Sequence, residues 1–273
     1  MDTNNANLKK ENLISYLKGL DSLLIAFSGG VDSTFLLAVA HQVLGDRVLA
    51  GTASSATYPS QEQEDAIEFV KKQGIKHVVF VSDEVSLPEF STNNPDRCYY
   101  CKKLLSAELQ QIAKERGIGH IALAANMDDL GDYRPGIKAA NEMGVIEPLI
   151  DAQLTKEEIR FLSKEMGLPT WDKPAMACLA SRIPYGEPVT EEKLKMVEEA
   201  ETFLNQNGFR QCRVRHHGPV ARIEVADSSI VKLMSKDLRE RVVAKFRKIG
   251  FLHITIDLEG YITGSLNRAF LDI

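Results

Sequence analysis

Between residues 22 and 149, short apolar runs alternate with stretches whose apolar positions recur at helical spacing. No other feature restricts the fold as strongly. S-L-L-I-A-F (22–27), R-V-L-A-G-T-A (47–53), H-V-V-F-V-S (77–82), H-I-A-L-A-A-N (120–126) and V-I-E-P-L (145–149) read as buried strands. Helical segments are expected near 33–44, 60–73, 98–116 and 135–143, with another at 155–166 after T-K-E-E. Strands this continuously apolar must be covered on both faces, which implies an α/β fold with a parallel, doubly wound sheet. Ligands of such sheets sit beyond the carboxyl ends of the strands.

The pattern changes after Gly167. L-P-T-W-D-K-P-A-M-A-C-L-A-S-R-I-P-Y-G-E-P carries four prolines and no sustained period, so a long ordered loop is expected there. A helix (190–206), two strands (211–216 and 220–225), a helix (236–248) and a strand (251–257) follow. The expected division is a nucleotide-binding domain over 1–183 and a smaller α+β domain over 184–273, serving substrate binding and oligomerisation. Residues 183–273 hold 14 Lys+Arg against 13 Asp+Glu, and the chain has a net charge of −5. That balance gives no electrostatic excess for nucleic acid. The start, M-D-T-N-N-A-N-L-K-K, has no signal-peptide core, and no apolar run approaches ~18 residues, so a cytoplasmic protein without a membrane partner is expected. Its four cysteines are then expected as thiols, available to metal or chemistry.

The first strand ends in S-G-G-V-D-S-T (28–34), and a helix follows at once. Gly29 and Gly30 permit a tight turn and close backbone approach. Ser28, Ser33 and Thr34 bring hydroxyls to a helix start, where free N–H groups and the dipole favour an anion. A glycine turn capped by serine is the plain alternative. The P-loop pattern G-x-x-x-x-G-K-S/T and the dinucleotide pattern G-x-G-x-x-G are both missing. Asp32 would repel a phosphate unless a divalent cation lay between them, which implies Mg²⁺.

This stretch resembles the PP-loop of the ATP pyrophosphatase superfamily, S-G-G-x-D-S after strand 1. The resemblance implies an adenine nucleotide alpha hydrolase-like sheet, cleavage of ATP between its α- and β-phosphates, and adenylation of an oxygen of the substrate. D-R-C-Y-Y-C-K-K (96–103), N-M-D-D-L-G-D-Y-R-P-G-I-K (126–138), A-C-L-A-S-R-I-P-Y-G (177–186) and R-V-R-H-H (213–217) are similar, together, to LarE-type sulfur transferases. That family makes the thio groups of the nickel-pincer nucleotide cofactor. Its substrate is pyridinium-3,5-biscarboxylic acid mononucleotide, whose carboxylates become thiocarboxylates. The resemblance also implies a homo-oligomer, a hexamer in the family. The rival within the superfamily is a tRNA-thiolating enzyme. A non-enzymatic nucleotide- or iron-binding regulator is the rival outside it.

Cys98 and Cys101, at i and i+3 near a helix start, present both thiols on one face. The helix dipole and Lys102 or Lys103 are expected to favour their thiolates. Two small core residues, a redox pair, zinc and iron–sulfur all remain compatible with that spacing. The resemblance adds Cys178 as third ligand of a 4Fe–4S cluster that carries an exchangeable sulfide. The family's other route sacrifices the sulfur of a single cysteine, here Cys178. Asp32 and Cys178 are therefore the catalytic candidates. Ser28, Gly29, Gly30, Asp32, Ser33, Thr34 and Ser54 are the ATP candidates, with Ser55 as an alternative to Ser54. Arg134, Ser181, Arg182, Arg213 and Arg215 are the substrate candidates, and Asp128, Asp129 and Asp132 could assist Mg²⁺. Cys212 reads as a core residue.

Overall fold

The structure is a computed structural model that describes residues 2–131, 135–174, 177–262 and 265. It divides into two compact units, Met1–Glu84 with Asp96–Met176, and Val85–Pro95 with Ala177–Ile273.

In the first unit the elements are α1 (Thr3–Lys18), β1 (Leu23–Ala26), α2 (Val31–Leu44), β2 (Val48–Ser54), α3 (Ser60–Gln73) and β3 (Lys76–Val81). After α4 (Pro88–Ser91), which lies in the second unit, come α5 (Arg97–Arg116), β4 (His120–Ala122), α6 (Pro135–Glu142), α7 (Pro148–Asp151) and α8 (Lys156–Glu165). The strands pair in parallel in the order β3-β2-β1-β4. Alternation along them shows why both faces are covered. Leu23 and Ile25 of β1 join Val48 and Ala50 in a core with Phe35, Leu36, Phe69 and Ile159, from α2, α3 and α8. Leu24 and Leu49, one residue out of phase, join Leu105, Leu109 and Ala140 from α5 and α6.

One expectation is corrected in this unit, and one element is added to it. Residues 145–149 form no strand: Ile146 makes one parallel bridge to Ala122, and α7 then begins at Pro148. Proline has no N–H to continue a ladder, but it suits a first helical turn. The N-terminal helix α1 was not anticipated. Asp2 caps it by accepting from the amides of Asn4 and Asn5 at 3.0 and 3.3 Å, and Ala6, Leu13 and Leu17 make its buried face.

The second unit contains α9 (Glu191–Gln206), β5 (Cys212–His217), β6 (Val220–Val225), α10 (Ile230–Met234), α11 (Lys236–Ile249) and β7 (His253–Ile256). β6 is central, antiparallel to β5 and parallel to β7. Leu204, Val214, Ile223, Phe246 and Phe251 fill its core, with Cys212 among them as the sequence suggests. Expected and observed boundaries differ here. Residues 177–183 and the distant segment Val85–Pro95 both belong to this unit rather than to the first. Asn93 is the reason. Wholly buried, with φ +61°, it donates its amide to the carbonyls of Ile183, Pro184 and Glu187 at 3.3, 2.7 and 2.8 Å. Its own carbonyl accepts from Gly186, and that of Ser91 from Val189.

Candidate active site

The glycine turn lies at the carboxyl end of β1, in the middle of the parallel sheet. Gly29 takes φ +71°, which glycine adopts without strain, and a methyl placed there would stand 3.0 Å from Ala66 Cβ of α3. Both conformation and space therefore demand glycine. Gly30 is the residue before α2, and no side chain caps that helix end. The first-turn amides are left to an anion, in the field of the helix dipole. Ser28 and Ser33 knit the turn: their hydroxyls lie 3.1 Å apart, and Ser33 Oγ also donates to the Gly30 carbonyl at 3.2 Å. Thr34 is wholly buried, so its hydroxyl lies beneath the turn rather than on it.

Asp32, the acid of the glycine turn, belongs to α2. It sits in the first turn of α2, half-buried, with Oδ2 2.5 Å from Lys156 Nζ of α8. Its Oδ1 is buried and has no hydrogen-bond partner among the described residues. Burial raises its pKa, opposed by the Lys156 ammonium and by Arg160, while Asp129 adds to the rise. A carboxylate with one spare buried oxygen beside an anion-binding helix end fits Mg²⁺, which takes one or two carboxylates together with phosphate oxygens. The other acids are occupied: Asp129 accepts from the Asn126 amide at 3.0 Å, and Asp128 from that of Lys156. Asp132 and Arg134 lie outside the described residues.

The cations beside the turn come from elements far from it in sequence. Lys156 opens α8, whose start is fixed by a capping box between Thr155 and Glu158. One turn later, Arg160 donates to the carbonyls of Trp171 and Lys173 at 2.8 and 2.7 Å. That bond holds Lys173, whose Nζ reaches the Gly29 carbonyl at 3.3 Å and Glu62 at 2.7 Å. T-K-E-E-I-R was legible as a helix start, but nothing local tied its lysine to Asp32.

Cys98 and Cys101 do lie at the start of α5, Cys98 in its first turn and exposed, Cys101 one turn on and half-buried. Gly136 of α6 packs so closely there that a methyl on it would stand 2.7 Å from Lys102 Cγ and 3.4 Å from the Cys98 carbonyl. Cys101 Sγ lies 3.8 Å from Glu84, a buried carboxylate that accepts from Ser55 at 2.6 Å and from Thr57 at 3.4 Å. Ser55 is thereby committed to Glu84, whereas Ser54 meets Gln63 at 3.4 Å. Glu84 and Thr57 had no sequence signal. Cys178 belongs to the second unit. Among the described residues, no three His, Cys, Asp or Glu side chains form a group that could hold a metal ion. The first unit thus contributes two thiols, from the start of one helix.

In the second unit Ser181, Arg182, Arg213 and Arg215 come together, in a different manner from that expected. Arg182 is fully buried and bidentate on Glu201 at 2.9 and 2.8 Å. Its remaining donors hold the carbonyls of Ala177 and Cys178 and the hydroxyl of Ser181 at 2.6, 3.1 and 3.0 Å. Arg215 is bidentate on Glu224 at 2.8 and 2.7 Å and holds the Ser181 carbonyl at 2.8 Å. Arg213 stacks on Tyr261, 5.1 Å from the ring centre. The sequence marked these residues as substrate candidates. Both β5 arginines are buried, and in Arg182 and Arg215 a paired carboxylate offsets the cost of burying the charge. The Cys212 thiol is pushed up to about 12, first by burial and then by Glu201, and is inert.

A parallel sheet with an uncapped glycine turn and a metal-compatible acid at its centre defines the PP-loop class of nucleotide-binding proteins. No family model matches the chain. Relatives do. An uncharacterized protein of Synechocystis is 44% identical over 260 residues, covering 95% of this chain and 97% of the relative. The pyridinium-3,5-bisthiocarboxylic acid mononucleotide synthase of Lactiplantibacillus plantarum is 35% identical over 95% of this chain and 94% of its own length. A glutamine-hydrolyzing GMP synthase component of Pyrococcus furiosus is 27% identical over 69% of this chain and 64% of its own, in keeping with the superfamily. The chain belongs to the LarE-type family, that of the pyridinium-3,5-bisthiocarboxylic acid mononucleotide synthase. Among the described residues, no helix is long and apolar enough to cross a membrane.

Proposed function

We propose that the protein is an ATP-dependent sulfur transferase. It adenylates the carboxylates of pyridinium-3,5-biscarboxylic acid mononucleotide, releases pyrophosphate, and converts them to thiocarboxylates for the nickel-pincer nucleotide cofactor. One observation carries the ATP half: the uncapped start of α2 behind Gly29 and Gly30, with the free buried Oδ1 of Asp32 beside it. The substrate half is supported by the relative's name and by its similarity along nearly the whole chain. A carboxylate resists attack because oxide is a hopeless leaving group, and adenylation replaces it with AMP. Backbone amides of the first α2 turn, with Ser28 and Ser33, would orient the phosphates, and Asp32 would hold Mg²⁺, which would neutralise phosphate charge. Ser181, Arg213 and Arg134 are the proposed anion-binding residues for the substrate, and Arg215, paired with Glu224, positions Ser181 through its carbonyl. Arg182 acts through the Cys178 and Ser181 atoms that it holds.

Sulfur delivery falls to the cysteines. Cys98, Cys101 and Cys178 are the proposed ligands of a 4Fe–4S cluster bearing sulfide, and sacrifice of the Cys178 sulfur is the alternative. A homo-oligomer, hexameric as in the family, completes the proposal. The test is to incubate the anaerobically reconstituted protein with MgATP, sulfide and the pyridinium dicarboxylate nucleotide. Pyrophosphate should form only when the nucleotide is present, and mass spectrometry should find oxygen replaced by sulfur in the product. ATP binding without substrate-dependent pyrophosphate would overturn the assignment.

A further inference from the structure

The loop from Ser28 to Thr34 contains no base, and its one charged residue is an acid. A triphosphate entering it needs positive charge from elsewhere. Lys156 Nζ bonds Asp32 alone among the described residues, and the two side chains are 32% and 20% exposed. Arg160, which also acts on Asp32, has committed its guanidinium to backbone carbonyls. The start of α8 is doubly fixed, by its capping box and by Asp128. Movement of Lys156 therefore needs only its flexible four-carbon stem.

We propose that Lys156 is an exchanging counterion. Without nucleotide it neutralises Asp32; when Mg²⁺ and ATP enter, the metal takes Asp32 and the ammonium transfers to the phosphates. This inference rests on the ATP-binding reading above. Exchange leaves neither charge bare, which matters because a partly buried charge stripped of its partner is costly. The device also weakens occupation of Asp32 by metal alone, and so ties metal binding to nucleotide.

The signature is a pair of effects with opposite sign. Lys156→Met keeps the stem and removes the charge. Mn²⁺ titrated without nucleotide, followed through the electron paramagnetic resonance of the free ion, should bind at least ~5-fold tighter, the scale of one lost surface-type ion pair. Binding of α,β-methylene-ATP with Mg²⁺, measured by calorimetry, should weaken at least ~10-fold, about one charge-assisted contact. Lys156→Arg should stay near wild type in both. Adding Asp32→Asn to Lys156→Met should erase the Mn²⁺ gain and so assign it to Asp32. Unchanged or weaker Mn²⁺ binding in Lys156→Met sinks the proposal, and Lys156→Gln replaces Met if the first variant does not fold. A wild-type chain that binds no α,β-methylene-ATP refutes the ATP reading separately, while the Mn²⁺ arm still decides the exchange.

Discussion

At the scale of single residues, the same residue type serves different ends according to burial. Asp32 keeps an unpartnered buried oxygen and a lysine that can leave, which suits a metal ligand. Asp32→Asn should preserve the fold and lower substrate-dependent pyrophosphate formation at least ~10²-fold, the scale of one preorganised electrostatic contact. Undiminished pyrophosphate in that variant removes Asp32 from the mechanism. Glu147 shares the unpartnered oxygen but, among the described residues, has no lysine bonded to it. It is 8% exposed, its Oε1 is unpartnered among the described residues, and burial lifts its pKa to about 7, with Asp151 and Asp129 adding to the rise. The folded state holds this proton more tightly than the unfolded chain, so stability falls as pH rises from the usual carboxylate range through about 7. Glu147→Gln should therefore stabilise the protein at pH 8 by about 1–3 kcal/mol and change little at pH 4.5. Denaturant titrations at the two pH values check this, and an equal effect at both would refute it.

Among the elements, helices and central strands were legible where the apolar period was unbroken. The segments 60–73, 98–116, 190–206, 220–225 and 236–248 reappear with ends shifted by at most one residue. Failures came where a local signal competed with the period. Pro148 turned an apolar run from strand to helix, and the polar sequence of α1 hid a face made by only three buried residues. The long loop after Gly167 was anticipated as ordered, but what orders part of it was not. Asn93, some ninety residues earlier, clamps Ile183, Pro184 and Glu187. Asn93→Gly keeps the positive φ and removes only the amide. Hydrogen exchange at Gly186 and Val189 should accelerate at least ~10-fold, because buried carbonyls left without donors cost about 1–3 kcal/mol. Unaltered protection at those two amides would show that the clamp contributes nothing to the loop.

For the whole molecule, the open question is how sulfur arrives, and the cysteines answer it by their pattern of loss. Under the proposed cluster, alanine at Cys98, Cys101 or Cys178 should each abolish iron binding on anaerobic reconstitution, since two protein thiolates hold such a cluster poorly. Cys212→Ala should retain iron, because that thiol is buried in the core of the second unit. Sacrificial transfer demands the reverse: Cys98→Ala and Cys101→Ala stay active, and intact mass after turnover shows Cys178 converted to dehydroalanine. Sequence by itself determined the parallel sheet, the glycine turn on its central strand, the helix that carries Cys98 and Cys101, and the small α+β unit. Each of these is written in local periods and in residue types that only one backbone conformation suits, so neighbours in sequence suffice to read them. Only the tertiary structure decided that Lys156 meets Asp32, that Arg182 and Arg215 pair with Glu201 and Glu224, and that Val85–Pro95 joins the second unit. The physical reason is that a charge or a buried amide states a need for a partner without naming it. Any complementary group that packing brings within about 3 Å can meet that need, and here these lie 9 to 124 positions away along the chain.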